Sequence, residues 1–263
     1  MSNISKFIAL KEYIPSGTPL ISQFELKSKE INLDEQNNIL VQNLWISVDP
    51  YMRARMTEKK NYKAPFAIGE PMEGACIGKV IQSNNKYHSV GDIVSSSFGW
   101  RDKYICNEND LKKINNENIP LEKFLGPLGM TGHTAYIGLF KIGNLKKNQT
   151  ILVSSAAGSV GSTVCQIAKI IGCKVIASTG SDEKVEWLKK ELKVDHAFNY
   201  KKIDNLVLYL KEISPEGYDM YYDNVGGDFL ESAIFRMKNF GEIIICGRIS
   251  QMNATTPGSG IKN

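Results

Sequence analysis

Three small residues directly after an apolar run are the part of this sequence best suited to chemistry. Ala156, Gly158 and Gly161 occupy the positions of a G-x-G-x-x-G pattern behind the apolar stretch "TILVSS". Small residues at these positions permit a tight turn, leave room for a pyrophosphate against the backbone, and let the next helix pack closely on the strand. The pattern predicts a dinucleotide site, and the alternative is a packing turn that holds no ligand.

The residues after this loop predict an amphipathic helix over 159–171. Its apolar face is formed by Val160, Val164, Ile167, Ala168 and Ile171. These residues recur at helical spacing, which places them on one side of the helix. The amino terminus of such a helix also attracts a bound anion, because its free N–H groups point toward it.

The end of the next predicted strand, 174–178, carries no acidic residue. An acid here would bind the ribose 2′-hydroxyl of NAD. Asp182 and Glu183 come slightly too late and are predicted to be first-turn acids of a helix that Ser181 caps. Lys184 suits a 2′-phosphate and therefore NADP. From spacing alone, a solvated helix lysine is an equally good interpretation of Lys184.

Alternating strands and helices are predicted to position this loop. The segment "GPLGMTGHTAYIGLFKIGNL" is helical and leads into it. The elements that follow are predicted as strand 150–155, helix 159–171, strand 174–178, helix 182–192, strand 196–200, helix 204–213, strand 218–225, helix 228–237 and strand 242–247. Alternation of this kind predicts βαβ units on a parallel sheet.

The first part of the chain has a different character. Its β-rich runs are broken by Gly, Asn and Asp, and helical periodicity is not sustained there. The change near residue 120 predicts two domains, 1–120 and 121–263. The fold class is therefore α/β, with a β domain followed by a doubly wound parallel sheet.

Composition excludes several classes of protein. The chain has 263 residues, 42% of them hydrophobic and 23% charged, and a net charge of +4 that is spread along the sequence. This distribution argues against a nucleic-acid partner. No apolar run approaches the roughly 20 residues that cross a membrane, and the amino terminus lacks a signal-peptide core. Five scattered cysteines are typical of a cytoplasmic protein with reduced thiols.

Several strings together resemble one known family. "LWISVDPYMRARM", "LGMTGHTAYIGL", the glycine-loop segment, "FNYK" and "YDNVGG" resemble the zinc-free alkenal/one reductases of the medium-chain dehydrogenase/reductase superfamily, the group of the prostaglandin reductases and plant double-bond reductases. The resemblance runs from about residue 35 to residue 253. It implies a GroES-like β domain, a Rossmann domain and an active site between them. It also implies NADPH-dependent reduction of the C=C bond of α,β-unsaturated aldehydes and ketones, and a homodimer where the carboxy terminus is complete.

The resemblance also implies roles for individual residues. Tyr51 would be the catalytic residue that lines the enone pocket, although a core aromatic is the alternative. Lys184 and Tyr200 would bind the 2′-phosphate, and a packing tyrosine is the alternative for Tyr200. Thr131 would lie near the nicotinamide and Asn224 along the ribose. The full cofactor set would be Thr131, Ala157, Gly158, Val160, Gly161, Gly180, Lys184, Tyr200, Asn224 and Ser250.

No metal is expected. Where zinc-dependent members carry His-Glu-Gly, this sequence has Met72, Glu73 and Gly74, and "VDPY" stands where they carry a cysteine ligand. A thioether in place of imidazole removes a donor that a tetrahedral zinc site requires.

Two departures from the family pattern keep alternatives open. Met252 stands where the family has a tyrosine proposed as a proton donor, and members of the family continue for several dozen residues beyond the point where this sequence stops. The sequence is therefore expected to be a carboxy-terminally shortened member. The first alternative is a non-catalytic NADP-binding remnant. The second is a quinone reductase of the zeta-crystallin type, against which "SVDPYMR" argues.

Overall fold

The computed structural model describes residues 4–36, 38–115 and 118–255. The chain divides into two compact units, Met1–Leu125 and Gly126–Asn263. No helix in the described part of the chain is both long enough and apolar enough to cross a membrane.

The first unit is built on antiparallel strands. Strands β1 (Ile4–Leu10) and β2 (Phe24–Glu30) form a two-stranded ribbon. A five-stranded sheet in the order β6-β3-β4-β5-β7 contains β3 (Ile39–Ile46), β4 (Cys76–Ser83), β5 (Ile93–Ser96), β6 (Lys103–Cys106) and β7 (Lys112–Lys113). Turns of 3₁₀ helix occupy Ile21–Gln23, Glu108–Asp110 and Leu121–Phe124.

A short helix, α1 (Tyr51–Arg55), interrupts these strands where sequence periodicity predicted no helix. Its five residues are too few to show a helical repeat in the sequence. The helix is held by tertiary contacts, since Met52 is 2% exposed in an apolar cluster of this unit. The buried guanidinium of Arg53 donates hydrogen bonds to the carbonyl oxygens of Ile14 and Gly17.

The second unit alternates strands and helices. It begins with α2 (Met130–Ile137), which continues as a π-helical turn over Gly138–Ile142. Then follow β8 (Thr150–Val153), α3 (Ser159–Ile171), β9 (Lys174–Thr179), α4 (Asp182–Lys190), β10 (His196–Asn199), α5 (Leu206–Ile213), β11 (Tyr218–Asp223), α6 (Gly227–Ile234) and β12 (Met237–Ile245). Turns of 3₁₀ helix cover Tyr200–Lys202 and Ile249–Gln251.

These elements confirm the predicted alternation, and α3 has the predicted bounds. The largest difference is β12, which begins five residues before its predicted start at 242. The extension arises because Met237 already pairs with Tyr218, ahead of a register shift in the ladder. Phe240 lies within the extension with a positive φ of 64°.

The five strands of the second unit are parallel, in the order β10-β9-β8-β11-β12. The chain runs outward from β8 to β9 and β10, then returns to the other side of β8 with β11. In open α/β sheets, ligands bind outside the carboxyl ends of the strands at such a switch point. The fold therefore predicts a ligand site at the residues that follow β8 and β11.

Apolar clusters cover both faces of this sheet. On one face, helices α3 and α4 bury Val164, Ala168 and Leu188 against residues of β8 and β9. On the other face, α5 and α6 bury Leu210, Phe229 and Ala233. The predicted apolar face of α3 is confirmed, since Val160, Ile167 and Ile171 also pack on the first cluster.

Candidate functional site

The glycine loop makes a tight turn between β8 and α3. The left-handed backbone conformation falls on Ser155, whose φ is 48°. Gly158 is the N-cap residue of α3. An ideal Cβ on Gly161 would lie 2.4 Å from the carbonyl oxygen of Ser155 and 2.8 Å from the Cα of Ala156. Only glycine lets α3 pass this close to the loop, so Gly161 serves the packing role that the pattern predicted.

The first turn of α3 is tied to α2. The Ser159 hydroxyl donates to the Thr131 hydroxyl over 3.0 Å, and the Thr131 hydroxyl donates to the Gly126 carbonyl over 2.9 Å. Thr131 therefore lies against the start of the helix whose free N–H groups follow the glycine loop.

The ends of β8 and β11 are joined by a buried polar network. The side-chain amide of Asn224 donates to the Ser154 carbonyl over 2.8 Å, and its backbone N–H donates to the Ser154 hydroxyl over 3.0 Å. Asp223 is fully buried, and its Oδ1 accepts the backbone N–H groups of Val225 and Gly226, each at 2.9 Å. These bonds fix the switch-point turn after β11 relative to the loop after β8.

A cleft of about 370 Å³ opens at the carboxyl ends of these strands. It is lined by Ser155, Gly158, Thr179, Gly180, Ser181, Lys184, Tyr200, Lys201, Val225, Ile249 and Ser250. Thr179 ends β9, and the other lining residues follow β8, β9, β10 and β11 or lie in the turn Ile249–Gln251. None of the described residues that line the cleft carries a carboxylate.

One end of the cleft is cationic. Lys184 and Lys201 both line it, together with Tyr200, a residue that is 38% exposed. Ser181 is the N-cap of α4, and its hydroxyl accepts the backbone N–H of Lys184. The predicted cap and the predicted first-turn acids Asp182 and Glu183 are therefore confirmed.

Asp182, the first residue of α4, has its carboxylate already paired. Lys202 donates to Asp182 Oδ2 over 2.6 Å, and the Asn199 side-chain amide donates to Oδ1 over 3.0 Å. The hydrogen bonds from Lys202 and Asn199 hold the pKa of Asp182 below its ordinary value. The carboxylate of Asp182 is thus occupied by Lys202 and Asn199.

The structure brings together part of the expected cofactor set. Gly158, Gly180, Lys184, Tyr200 and Ser250 line the cleft. The other expected cofactor residues lie around it without lining it: Ala157 in the loop, Val160 and Gly161 in the first turn of α3, Thr131 against Ser159 and Asn224 against Ser154.

Sequence reasoning missed six lining residues: Ser155, Thr179, Ser181, Lys201, Val225 and Ile249. For Lys201 a signal was present, because it directly follows Tyr200 in the string "FNYKK". The other five carry no distinctive chemistry, and only their position at strand ends identifies them.

Tyr51, the expected catalytic residue, belongs to the first unit. It packs beside the apolar cluster of Met52 and Phe66, and Lys63 Nζ lies 5.0 Å from its ring centroid. Burial, followed by the charge of Asp49, raises the pKa of the Tyr51 hydroxyl. The hydroxyl therefore stays protonated at neutral pH and can donate a hydrogen bond.

The residues at the zinc position of related enzymes have structural partners here. Met72 is 1% exposed in the apolar cluster, and Glu73 forms a 2.7 Å ion pair with Arg55. Over the described ranges, no group of three or more His, Cys, Asp or Glu side chains is arranged to hold a metal ion.

The cleft fits a phosphorylated dinucleotide. A Cβ on Gly158 would lie 3.1 Å from the Ser155 carbonyl, so a glycine suits the tight turn at the N-cap of α3. Backbone N–H groups at that terminus attract a pyrophosphate. The cationic end with Lys184 and Lys201 suits an additional phosphate, and Asp182, the acid that could bind a ribose hydroxyl, is held by Lys202.

Comparison with known proteins agrees with this geometry. A family model described as the N-terminal domain of oxidoreductase matches residues 6–114. A second model, described as zinc-binding dehydrogenase, matches residues 159–261.

Individual relatives match nearly the whole chain. Prostaglandin reductase 1 of Rattus norvegicus is 44% identical over 256 residues, which are 96% of this chain and 75% of the relative. The NADP(+)-dependent 2-alkenal reductase of Nicotiana tabacum is 41% identical, over 95% of this chain and 74% of the relative. The crystal structure of CurA from Vibrio vulnificus in complex with NADPH has a TM-score of 0.90 and 34% identity, over 97% of this chain and 75% of that one.

Proposed function

Because the chain belongs to the medium-chain dehydrogenase/reductase superfamily, we propose that it reduces the C=C bond of α,β-unsaturated aldehydes and ketones with NADPH. The observation that carries this function is the cleft at the switch point of the parallel sheet, which is lined by Lys184, Tyr200 and the glycine-loop residue Gly158. Relatives named as prostaglandin reductase and 2-alkenal reductase support the reaction class. The substrate is a small molecule.

The same proposal assigns roles to residues around the cleft. Gly158, Ala157, Val160 and Gly161 would place backbone N–H groups at the pyrophosphate, as helix amino termini do. Lys184 and Tyr200 would bind the 2′-phosphate, with Gly180 and Ser250 beside it in the cleft. Thr131 and Asn224 would lie along the nicotinamide and its ribose. The first domain, 1–120, would serve the substrate, and 121–263 would bind the cofactor.

The chemistry requires few groups from the protein. When bound, NADPH supplies a hydride to the β-carbon of the substrate. Negative charge then develops on the carbonyl oxygen, and a hydrogen-bond donor aimed at that oxygen stabilises it. We assign this donor to the hydroxyl of Tyr51, whose raised pKa keeps its proton in place.

The proton for the α-carbon cannot come from the position at which the family has a tyrosine. Met252 occupies it, and a thioether carries no proton to donate. The proton of the Ser250 hydroxyl is already used in a hydrogen bond, which Ser250 donates to the Val225 carbonyl over 2.7 Å. Water or Tyr51 is then the proton source.

The experiment that tests the function is NADPH oxidation by the purified protein with a 4-hydroxyalkenal, followed at the cofactor absorbance. NADH and a simple quinone are assayed in parallel. Enal-dependent consumption of NADPH in preference to NADH supports the proposal. Binding of NADPH without consumption favours the non-catalytic remnant, to which Met252 points, and faster turnover of the quinone favours a quinone reductase.

We also propose a homodimer in the cytoplasm. Among the described strands β12 is an edge of its sheet, with Phe240 fully exposed and Ile245 65% exposed, and an unpaired edge of this kind is a template for pairing. All five cysteines are free thiols, which suits a reducing compartment. Light scattering on the purified protein measures the mass of the assembly, and a monomer at micromolar concentration argues against the dimer.

A further inference from the structure

Two lysines follow Tyr200, and the structure gives them different surroundings. Lys202 donates to Asp182, whereas Lys201 lines the cleft. Within the described part of the chain, neither Lys201 Nζ nor Lys184 Nζ has a hydrogen-bond or ion-pair partner. The cationic end of the cleft therefore contains two ammonium groups without a counter-charge.

The turn that carries these lysines is fixed to α4. Asn199 caps the turn, because its side-chain oxygen accepts the backbone N–H of Lys201 over 3.2 Å. The amide nitrogen of the same side chain donates to Asp182, the first residue of α4. With Lys202 also bound to Asp182, the turn is connected to the helix by two side chains. Tyr200 and Lys201 are the residues of the turn that line the cleft.

The side chains of Tyr200 and Lys201 pack against Gly180. An ideal Cβ on Gly180 would lie 3.4 Å from Lys201 Cε, 3.4 Å from Tyr200 Cε1 and 3.7 Å from Lys201 Nζ. The Lys201 side chain thus extends over the end of β9 beside the Tyr200 ring. Tyr200 is held in turn by an edge-to-face contact with Phe229, at 6.2 Å between ring centroids.

We propose that Lys201 is a second cationic contact for the 2′-phosphate of NADPH, alongside Lys184, and that it increases the preference for NADPH over NADH. The inference rests on the proposed function, since it deepens the assignment of the same cleft. A phosphate monoester carries nearly two negative charges at neutral pH and three acceptor oxygens, which is more than one ammonium group satisfies. The ammonium of Lys201 supplies a second positive charge, and the Asp182 carboxylate is already paired with Lys202.

The test is calorimetric titration with 2′,5′-ADP and with 5′-AMP, which measures the phosphate contact without catalysis. The variants are Lys201→Ala, Lys201→Arg and, as matched control, Lys190→Ala, which removes an exposed lysine of the last turn of α4 outside the cleft. Lys201→Ala is expected to weaken 2′,5′-ADP roughly 5- to 30-fold, as the loss of a partly solvated charge pair predicts, and 5′-AMP less than about twofold. Lys201→Arg keeps the charge and is expected to remain near the wild type.

The outcomes separate this inference from the proposed function. If wild-type protein prefers 2′,5′-ADP and Lys201→Ala keeps that preference, Lys201 is a solvated surface lysine. The inference about Lys201 is then overturned, and the proposed function is not affected. An equal loss in Lys190→Ala also overturns it, because the effect is then that of net charge. If wild-type protein has no preference for 2′,5′-ADP over 5′-AMP, the inference and the NADP assignment are both overturned. If 2′,5′-ADP is preferred and Lys201→Ala loses that preference, but no enal is reduced, the reductase is overturned and the Lys201 contact is supported.

Discussion

The hydroxyl of Tyr221 donates a 2.6 Å hydrogen bond to Oδ1 of Asp223, in the fully buried network that joins the ends of β8 and β11. The same hydroxyl lies 3.1 Å from the Ser154 hydroxyl. Because Oδ1 also holds the N–H groups of Val225 and Gly226, the tyrosine helps to set the backbone that borders the cofactor cleft.

Replacing Tyr221 by Phe is therefore expected to destabilise the protein by about 1–3 kcal/mol, since it removes a donor from a buried carboxyl group. Chemical denaturation of both proteins measures the difference. The control is Tyr222→Phe, a neighbouring buried tyrosine whose hydroxyl donates to an uncharged acceptor, the Thr134 carbonyl. Its expected cost is about 0.5–1.5 kcal/mol. Equal losses would show that the carboxyl network adds no stability of its own.

Gly161→Ala is expected to lower stability by about 1–3 kcal/mol, because the new methyl group meets the backbone of Ser155 and Ala156 in a packed loop. NADPH affinity should fall with it, as α3 moves away from the glycine loop. Thermal unfolding and cofactor titration measure the two effects. Gln166→Ala, at an exposed position of the same helix, is the control and should leave both unchanged. A Gly161→Ala protein as stable as the wild type would contradict the close packing.

Lys184→Ala is expected to weaken NADPH binding roughly 10- to 100-fold, the loss of a charged hydrogen bond to phosphate, and NADH binding much less. Fluorescence titration with both cofactors measures the ratio. NADH acts as the internal control, since it shares everything but the 2′-phosphate. An equal loss for the two cofactors would refute the assigned role of Lys184.

Tyr51→Phe is expected to lower kcat for enal reduction on the order of 100-fold, as the removal of one donor to a developing oxyanion does. The ring and its contact with Lys63 are kept, so stability and NADPH affinity should not change. Steady-state kinetics and cofactor titration separate the two effects. An unchanged kcat would favour the alternative that Tyr51 is a core aromatic.

His196 provides a test by pH. Burial lowers the pKa of its imidazole below the ordinary value of 6.5, and the charges of Lys189 and Lys174 lower it further. Below about pH 6.5 the unfolded chain takes up a proton that the folded protein does not, so stability falls as pH decreases. Unfolding midpoints at pH 7.5 and 5.5 should therefore differ more in the wild type than in His196→Gln, which does not titrate. The same difference in both would assign the pH dependence to other groups.

Much of the second unit could be predicted, because its signals lie in short segments of the sequence. Helix α3 has the predicted bounds because its apolar spacing and the capping glycine Gly158 lie within one short segment. Helix α1 was not predicted, since five residues show no periodicity and Met52 is buried by residues distant in sequence. The early start of β12 likewise depends on the pairing of Met237 with Tyr218 across the sheet.

By itself, the sequence determined the class of fold, the glycine loop, the cap at Ser181 and the presence of a lysine five residues beyond the end of β9. Each depends on contacts between residues close together in the chain. The tertiary structure decided which side chains share the cleft. Asp182 is paired with Lys202, 20 residues later, and the adjacent Lys201 lines the cleft instead. Neighbouring lysines have the same chemistry, and only the hydrogen bonds of the folded turn separate their roles.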